Sequence, residues 1–510
     1  MKILRLILGD QLNIQHSWFK ETNNDHIYVM MEVRQETDYV RHHIQKILGV
    51  FAAMRSFSET LISMGHHVAY LKISDPHNTQ EIHSNLKNLV NKYQCSKIEY
   101  MEPDEYRLDI QLRTLTNKIG IPSIAFSSEH FMTSRDGFKK IFGERKSFLM
   151  ETFYRHMRRD FNILMDHDKP IGGVWNLDLE NRKKLPLNIE IPKPLEFDSD
   201  LTSLHHEVQS AGIETIGKVD VRKFLWPVNR EQSIQLLNYF CKHGLKYFGT
   251  YQDALTDKSW SVFHARISFS LNVKLISPIE TIEKVINYWQ ENPETITLNQ
   301  IEGFVRQIIG WREYMRCLYW NEMPEFATKN FFGHERKLPS WFWTGQTKMK
   351  CLSHTINQSL EFAYAHHIQR LMITGNFMLL TGIHPDEADL WYLGIYIDAF
   401  EWVEITNTRG MSQYADGGLT ATKPYISSAS YIDKMGSYCK SCAYNKSLKT
   451  GPGSCPFNSL YWNFLEVNRE KLNSNPRMGM MYNVWDKMDK GTQNNIRNQA
   501  EYYLNNLEIL

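Results

Sequence analysis

Short apolar runs alternate with longer helix-period stretches over the first 126 residues. The apolar runs have the length of strands and lie at 3–8, 67–73, 97–101 and 122–126. The stretches between them predict helices at 39–64, 80–93 and 105–118. Strands alternating with helices at these lengths favour βαβ units and a parallel sheet. Ligands of such sheets bind beyond the carboxyl ends of the strands, so Asp10 and Gln11 are expected beside a pocket.

The hydrophobic pattern changes after residue 165. Residues 166–219 are rich in Pro, Asp, Asn and Lys, and we interpret them as a connector between domains. Nearly every segment of 220–510 has helical period, which predicts a large all-α domain. The predicted architecture is therefore a Rossmann-like α/β domain at 1–165, a connector at 166–219 and a helical domain at 220–510. A chain of 510 residues is long enough to bury two cores.

Four of the seven cysteines have the spacing of a metal site. Cys439 and Cys442 form a Cys-x-x-Cys pair, Cys455 follows thirteen residues later, and Cys351 is a distant fourth. Thiolates suit either zinc or an iron–sulfur cluster, and the spacing does not separate the two. Pro456 after Cys455 resembles the Cys-Pro ending of bacterial ferredoxin ligand runs, which favours iron–sulfur. The alternative is four unrelated buried thiols.

Composition narrows the class of protein further. Seven cysteines in so long a chain do not make a disulfide scaffold, so we expect a reduced compartment. The N-terminal run lacks the length of a signal peptide, and no stretch approaches the length of a membrane span. We therefore expect a cytoplasmic protein that does not contact membranes.

The net charge of +1 means that nucleic-acid binding requires a local basic patch. The segment 135–159 is the candidate, because eight Lys and Arg residues there outnumber three acidic ones among interleaved aromatics. It could steer a phosphate backbone or form an ordinary solvated amphipathic helix, and the sequence does not decide between these.

Four segments of the predicted helical domain resemble the cryptochrome/photolyase family. They are FHARISFSLNVKLISP at 263–278, FVRQIIGWREYMR at 304–316, AHHIQRLM at 365–372 and IDAFEWVEITN at 397–407. The resemblance implies a FAD-binding domain. The residues implied to bind FAD are Tyr247, His264, Ser268, Asn272, Arg370, Asp398, Glu404 and Asn407. Glu404 takes the position of an Asn that faces flavin N5 in the family.

Other features resemble the prokaryotic (6-4) photolyase branch, the iron–sulfur bacterial cryptochromes and photolyases. The chain lacks the usual Gly-Gly-Trp after Glu404, and it carries LGDQL at 8–12, GGVWNLDLENRKKLP at 172–186, GMSQYADGG at 410–418 and KPYISSASYIDKMGSYCKSC at 423–442. The resemblance implies a [4Fe–4S] cluster held by Cys351, Cys439, Cys442 and Cys455. It also implies a 6,7-dimethyl-8-ribityllumazine antenna near Asp10, Gln11 and Glu36.

The resemblance implies light-driven repair of (6-4) photoproducts in UV-damaged DNA, by a protein expected to act as a monomer. Histidines suit the proton transfer that this lesion needs, and we expect His367 to be the donor with His366 beside it, or the reverse. An aromatic relay of Trp391, Tyr392 and Trp343 is implied for electron supply. Aromatic rings of Trp311, Tyr425 and Tyr431 are implied to line the lesion pocket.

Three other functions remain open at this point. A cryptochrome-like blue-light photoreceptor would bind the same cofactors and signal to a partner. Repair of cyclobutane dimers is disfavoured by His367 at a position that is Asn in the family motif. A non-photochemical iron–sulfur protein that binds DNA would lack flavin.

Overall fold

The computed structural model describes residues 2–145, 148–186 and 188–510. Five parallel strands form one sheet in the order β3-β2-β1-β4-β5. The strands are β1 (Ile3–Leu6), β2 (His26–Met31), β3 (His67–Leu71), β4 (Lys97–Met101) and β5 (Ser123–Phe126). This sheet confirms the predicted α/β fold of the N-terminal part.

Strand β2 is a correction to the sequence analysis, which placed no strand at 26–31. The connection from β1 to β2 contains no α-helix, only a 3₁₀ turn at Ser17–Phe19 anchored by buried Trp18 and Phe19. The alternation of helices and strands along the sequence therefore gave no sign of a strand there. Every residue of β2 after His26 is buried, because β1 and β3 flank it and helices cover both faces.

The helices of this part end close to their predicted positions. They are Arg34–Thr37, Ile44–Ser63, Ile82–Tyr93, Tyr106–Arg113, Leu115–Ile119, Gly137–Phe142 and Met150–Asp160. The last two lie in the basic segment and bury their aromatic faces, including Phe138 and Phe153, while Arg155 and Arg159 approach the ring of Trp175. The basic residue Lys146 lies outside the described residues.

The connector is mostly extended, as expected, with short regular pieces. A small antiparallel hairpin pairs β6 (Met165–Asp166) with β7 (Lys169–Pro170), and 3₁₀ turns follow at Ile171–Gly173 and Asp178–Glu180. A helix at Thr202–Ser210 packs against Ile44–Ser63. The boundaries at 165 and 219 stay predictions.

The rest of the described chain is helical, which confirms the predicted second part. Its α-helices are Arg230–His243, Leu245–Tyr251, Ser268–Asn272, Pro278–Glu291, Leu298–Val305, Glu313–Glu322, Lys350–Phe362, His367–Gln369, Asn376–Thr381, Pro385–Ile395, Glu401–Ile405, Ala429–Met435, Pro456–Val467, Arg469–Leu472, Gly479–Asp486 and Lys490–Asn505. Capping residues fix some of these ends. At the start of Pro278–Glu291, Ser277 and Glu280 form a capping box, and Pro278 is the first helical residue. Within the described ranges, every helix is too short or too polar to span a bilayer.

Three of these helices widen into π-helical segments. The segments are Arg306–Arg312, Arg370–Gly375 and Thr406–Ser412. Arg370–Gly375 begins at a residue that the sequence analysis assigned to the flavin site, Thr406–Ser412 contains another, Asn407, and Arg306–Arg312 lies within a segment that resembles the family. π-helical turns are rare and frequently occur at functional sites, so the three segments together point to the region described next.

One apolar cluster joins the two parts of the molecule. Residues of the helix Ile44–Ser63 pack with Phe224, Trp226 and Phe269 of the second part. At the same junction the buried His43 ring donates from Nε2 to Leu360 O at 2.9 Å, while Nδ1 accepts from Gln45 N–H at 3.1 Å. These two bonds require the neutral imidazole with its proton on Nε2.

Candidate functional site

Four predicted flavin-binding residues meet in one network around Asp398. Ser268 Oγ donates to Asp398 Oδ2 at 2.6 Å, and Asn272 Nδ2 donates to the Asp398 carbonyl at 2.8 Å. Arg370 Nη2 lies 3.0 Å from Asp398 Oδ1. Burial disfavours the charged guanidinium, but the Asp398 carboxylate outweighs it and raises the pKa of Arg370. The network is therefore a buried ion pair whose geometry is fixed by the helix Ser268–Asn272.

Two residues that the sequence analysis did not single out complete this network. The Arg370 guanidinium lies 3.8 Å above the ring of Tyr396. Arg312 Nη2 donates to Leu271 O at 3.2 Å and approaches Asn272 Oδ1 at 3.4 Å. Arg312 was read as part of a family motif, but only the fold shows that it orients the helix carrying Ser268.

The two predicted histidines occupy different environments. His366 directly precedes the helix His367–Gln369 in an extended conformation, so only His367 of the pair is on the helix. Its buried ring stacks on His264 with centroids 4.9 Å apart and planes 12° from parallel. Burial and the neighbouring His264, His367 and Arg370 lower the pKa of His366 well below its usual value.

His367 is the more accessible of the pair. Its side chain is exposed within a recess of the protein, while Ile368 and Gln369 after it are buried. Desolvation by the surrounding protein and the charge of Arg370 lower the pKa of His367 to about 4. Water reaching the exposed ring weakens that desolvation, but both effects favour a neutral imidazole before any ligand binds.

Glu404 is a buried carboxyl group without a hydrogen-bond partner on Oε1. Desolvation, with a contribution from Asp389, raises the pKa of Glu404 well above its usual value. The shift favours the protonated form of Glu404, which can donate a hydrogen bond. Asn407 lies on the next turn, where its Nδ2 donates to Val403 O at 2.7 Å.

The unpartnered atoms of this region test whether a flavin fits. Buried polar atoms are almost always hydrogen-bonded, yet both ring nitrogens of His366, Nε2 of His264 and Oε1 of Glu404 have no partner in the described chain. Such atoms around the Arg370–Asp398 pair fit a large polar ligand that would satisfy them. Tyr247 lies at the edge of the region, with its ring 5.0 Å from that of Phe263.

The predicted aromatic relay is partly assembled. The Trp391 ring lies 5.1 Å from Tyr392 and 5.9 Å from Tyr396, which carries Arg370 on its face. The Tyr392 hydroxyl donates to Arg370 O at 2.6 Å. Phe342, next to Trp343, contacts Trp391 at 5.2 Å. The ring contacts of the described chain do not include one between Trp343 and Trp391, and Trp343 lies at the surface.

The predicted lesion-pocket aromatics form two groups. Tyr425 and Tyr431 are half-buried and share Arg182 of the connector as a charged neighbour. Burial, with Asp253 nearby, raises the pKa of Tyr431 to about 12. Trp311 is half-buried elsewhere on its π-helical segment, edge-on to Tyr314 at 6.1 Å. The described ring contacts join Trp311 to neither tyrosine.

The four predicted metal-binding cysteines line one cavity. Cys351 lies in the first turn of Lys350–Phe362, Cys439 in the 3₁₀ turn Tyr438–Ser441, and Cys455 caps Pro456–Val467. All four are free thiols, and Cys442 follows the 3₁₀ turn. Within the described ranges, no three metal-binding side chains have the geometry for a single ion. A donor set of four thiols fits zinc or an iron–sulfur cluster.

A ring of buried hydrogen bonds connects the cysteine cavity to the histidines. Gln369 Nε2 donates to the hydroxyl of Tyr438, which precedes Cys439, at 3.2 Å. The amides of Gln369 and Gln358 bond each other twice at 3.0 Å, and Gln369 Oε1 accepts from His366 N–H at 3.1 Å. Gln358 and Cys351 share one helix, so that helix runs from the cavity to the histidines.

A second cavity lies at the carboxyl ends of the parallel strands. Asp10 and Glu36 line it, as predicted, and Arg107 Nη2 lies 2.6 Å from Glu36 Oε2. Burial raises the pKa of Asp10 to about 6. Gln11 does not line the cavity, because its amide is buried and donates to Met101 O at 3.2 Å.

Comparison with known proteins agrees with this architecture. Over its full length the chain is 40% identical to the (6-4) photolyase of Agrobacterium fabrum, and the alignment covers 100% of both chains. Residues 5–226 match the family model of the deoxyribodipyrimidine photo-lyase-related proteins.

Two solved structures share the fold. A bacterial class III photolyase from Agrobacterium tumefaciens has a TM-score of 0.56 at 14% identity, covering 83% of this chain and 81% of that one. A Synechocystis sp. PCC6803 cryptochrome has a TM-score of 0.54 at 11% identity, covering 82% of each chain. The fold is thus that of the photolyases and cryptochromes. Because the full-length identity to the Agrobacterium fabrum protein is 40%, the chain belongs to the (6-4) photolyase family.

Proposed function

We propose that this protein repairs (6-4) photoproducts in UV-damaged DNA, using light and bound FAD. The observation that carries the proposal is the exposed His367 beside the buried Arg370–Asp398 pair, in a chain similar over its full length to a (6-4) photolyase. A photoreceptor function is not favoured, since that relative is a repair enzyme by name.

Bound FAD would supply the light-driven electron, and the protein would supply its orientation and electrostatics. Ser268 and Asn272 hold Asp398, which in turn holds Arg370, so a positive charge has a fixed place beside the ring system. Tyr247, His264 and Asn407 would complete the binding site. Glu404 would present its protonated Oε1, and Trp391 with Tyr392 would conduct electrons to the site, with Trp343 at the surface.

His367 would transfer the proton during repair. Its imidazole is neutral before the lesion binds, and a lesion that gains negative charge would raise the His367 pKa by Coulomb attraction. His367 would therefore hold its proton close to the negative charge that develops on the lesion. His366 would position His367 through the bond between its backbone and Gln369. Trp311, Tyr425 and Tyr431 would provide aromatic faces for the extruded bases.

Two further groups are part of the proposal. The cysteine cavity would hold a [4Fe–4S] cluster through Cys351, Cys439, Cys442 and Cys455, which is supported by the four free thiols that line one cavity. The cavity of the α/β part would hold a 6,7-dimethyl-8-ribityllumazine antenna, with Asp10 and Glu36 as polar contacts and Gln11 as support for the wall.

The test is photorepair of an oligonucleotide that carries one (6-4) photoproduct, in blue light and in darkness. We expect light-dependent restoration by the native protein and a loss of roughly 100-fold in His367→Ala, within the range for general acid–base catalysis. His77→Ala, at an exposed histidine of the α/β part, is the matched control and should repair normally. Flavin content is measured in every sample.

Failure of the flavin-loaded native protein to repair this lesion would overturn the proposed function. Normal repair by His367→Ala would leave the function standing and reject His367 as the donor. His366→Ala is measured alongside, because loss only in that variant would reverse the order of the two histidines.

A further inference from the structure

A second carboxyl group, that of the partly buried Asp389, acts electrostatically on Glu404. Asp389 is on the helix Pro385–Ile395, which packs against the helix Glu401–Ile405 that carries Glu404. Oδ1 of Asp389 has no hydrogen-bond partner in the described chain, as is true of Glu404 Oε1. Two acids that each have one buried oxygen without a partner are thus carried by two helices that pack against each other.

The other oxygen of Asp389 is held by an arginine. Arg409 Nε donates to Asp389 Oδ2 at 2.7 Å from the π-helical segment Thr406–Ser412. The same buried guanidinium also pairs with Asp386, whose side chain is 61% exposed. Arg409 therefore divides its single positive charge between two carboxylates, and cannot neutralise Asp389 and Glu404 together.

The remaining charges around the pair are few. Lys46, from the helix Ile44–Ser63, is buried, donates to Leu393 O at 3.0 Å and acts on Glu404. Desolvation lowers the Lys46 pKa to about 8. On the opposite side Glu401 adds negative charge near Asp389. Thr408 is the remaining polar neighbour that acts on Glu404.

Simultaneous ionisation of Glu404 and Asp389 is therefore disfavoured. Desolvation raises the pKa of Asp389 to about 7, against the pull of Arg409. Desolvation also raises the Glu404 pKa well above its usual value, and the Asp389 charge adds to that rise. Arg409 donates a hydrogen bond to Asp389 and none to Glu404, so the geometry favours the charge on Asp389 and the proton on Glu404.

We propose that Asp389 is a positioning residue that keeps a proton on Glu404, with Arg409 fixing the negative charge on Asp389. This inference rests on the proposed function in one respect, since Glu404 is taken to face the flavin. A neutral Glu404 donates a hydrogen bond there, whereas an ionised one would repel electron density on the ring.

The test uses the purified holoprotein in the dark and follows the protonated-carboxyl infrared band against pH. We expect a band at neutral pH that Glu404→Gln removes. In Asp389→Asn the like charge is gone and Arg409 is free to attract Glu404, so the midpoint should fall by about one pH unit or more. Asp389→Glu keeps the charge and should keep the native midpoint.

Asp386→Asn is the matched control, because it also removes a carboxylate that pairs with Arg409, but one at an exposed position. Its midpoint should match that of the native protein. An unchanged midpoint in Asp389→Asn, or an equal shift in Asp386→Asn, would overturn the inference. If Asp389→Asn loses its flavin, the titration of Asp389 in the Glu404→Gln variant is measured instead. We expect the Asp389 midpoint in that variant to fall below its native pKa of about 7. An unchanged Asp389 midpoint would refute the coupling.

The infrared titration does not depend on repair activity. A protein that shows the coupled titration but repairs no lesion would contradict the proposed function and leave the carboxyl pair in place. A protein that repairs the lesion, but whose Glu404 midpoint is unchanged in Asp389→Asn, would support the proposed function and contradict the carboxyl pair.

Discussion

At the residue scale, the four cavity cysteines illustrate how burial and ligand chemistry are linked. Burial raises the pKa of Cys439 to about 11 and that of Cys455 to about 12, and neighbouring thiolates add to both shifts. Without a cation, these side chains therefore remain neutral thiols. Ligation requires thiolates, so binding of a metal group must release protons and weaken as the pH falls.

Replacing one cavity cysteine tests the proposal that the four thiols hold an iron–sulfur cluster. We expect Cys442→Ser to lose most of its iron and acid-labile sulfide, because three thiolates are left to hold the group. Cys241→Ser is the control, since Cys241 is buried in the helical core away from the cavity. Iron and sulfide are measured per chain. Equal iron in both variants would exclude Cys442 as a ligand.

Residue identity alone predicted part of the site. The Cys-x-x-Cys pair and the Ser268–Asp398–Arg370 group have recognisable spacing or motifs, and the fold brings each set together. Asp389 has neither, because its proposed role arises from the way the helix Pro385–Ile395 packs against the next helix, Glu401–Ile405, and no motif marks that packing. Gln11 was placed correctly beside the strand, but its side-chain direction depends on β4, which the spacing does not encode.

At the element scale, the π-helical segments shape the flavin region. Gly375 ends the segment Arg370–Gly375 and lies against Thr406–Ser412, where an added Cβ would come 2.1 Å from Ser412 Oγ and 2.8 Å from Arg370 O. The two segments can pack this closely only because residue 375 has no side chain. The position of Arg370 therefore depends on that glycine.

Gly375→Ala should push the two segments apart and displace Arg370 from Asp398. We expect FAD affinity to fall roughly tenfold or more, which corresponds to about 1.4 kcal/mol. Gly479→Ala is the control, because an added Cβ there meets nothing within 4 Å. Flavin release during gel filtration and equilibrium titration measure the effect. Native affinity in Gly375→Ala would show that the segments tolerate separation.

Elements differ in how far their sequence determines them. The long amphipathic helix Ile44–Ser63 and the strand β4 were predicted within a few residues, because their apolar periods are regular. The strand β2 was missed because a loop replaces the expected crossover helix. The π-helical turns leave no periodic signal, since one extra residue per turn shifts the pattern only locally.

At the scale of the whole molecule, His43 links the two parts. Gly217 packs against its ring so closely that a Cβ at that position would lie 1.9 Å from Nε2. Desolvation lowers the pKa of His43 to about 4 in the folded protein, against 6.5 as its ordinary value. The unfolded chain thus binds more protons between these values, and stability falls as the pH drops from about 6.5 through about 4.

His43→Gln should flatten this acid dependence, because glutamine keeps a donor for Leu360 O without titrating. Between pH 6.5 and 4 the native protein should lose up to about 3 kcal/mol more unfolding free energy than the variant. Denaturant unfolding at a series of pH values measures it. His77→Gln, at an exposed position, should unfold like the native protein, and equal slopes in all three would refute the assignment.

The helix Lys350–Phe362 has 13 residues and is about 20 Å long. It carries Cys351 near one end and Gln358 two turns later. Through Gln369 it also fixes the backbone of His366. In the proposed assignment this helix carries a cluster ligand near one end and is bonded to the histidine region near the other, so we expect the two centres to mature together. We expect newly made chains in iron-starved cells to accumulate without flavin, so that iron supply limits how much light-responsive protein a cell contains.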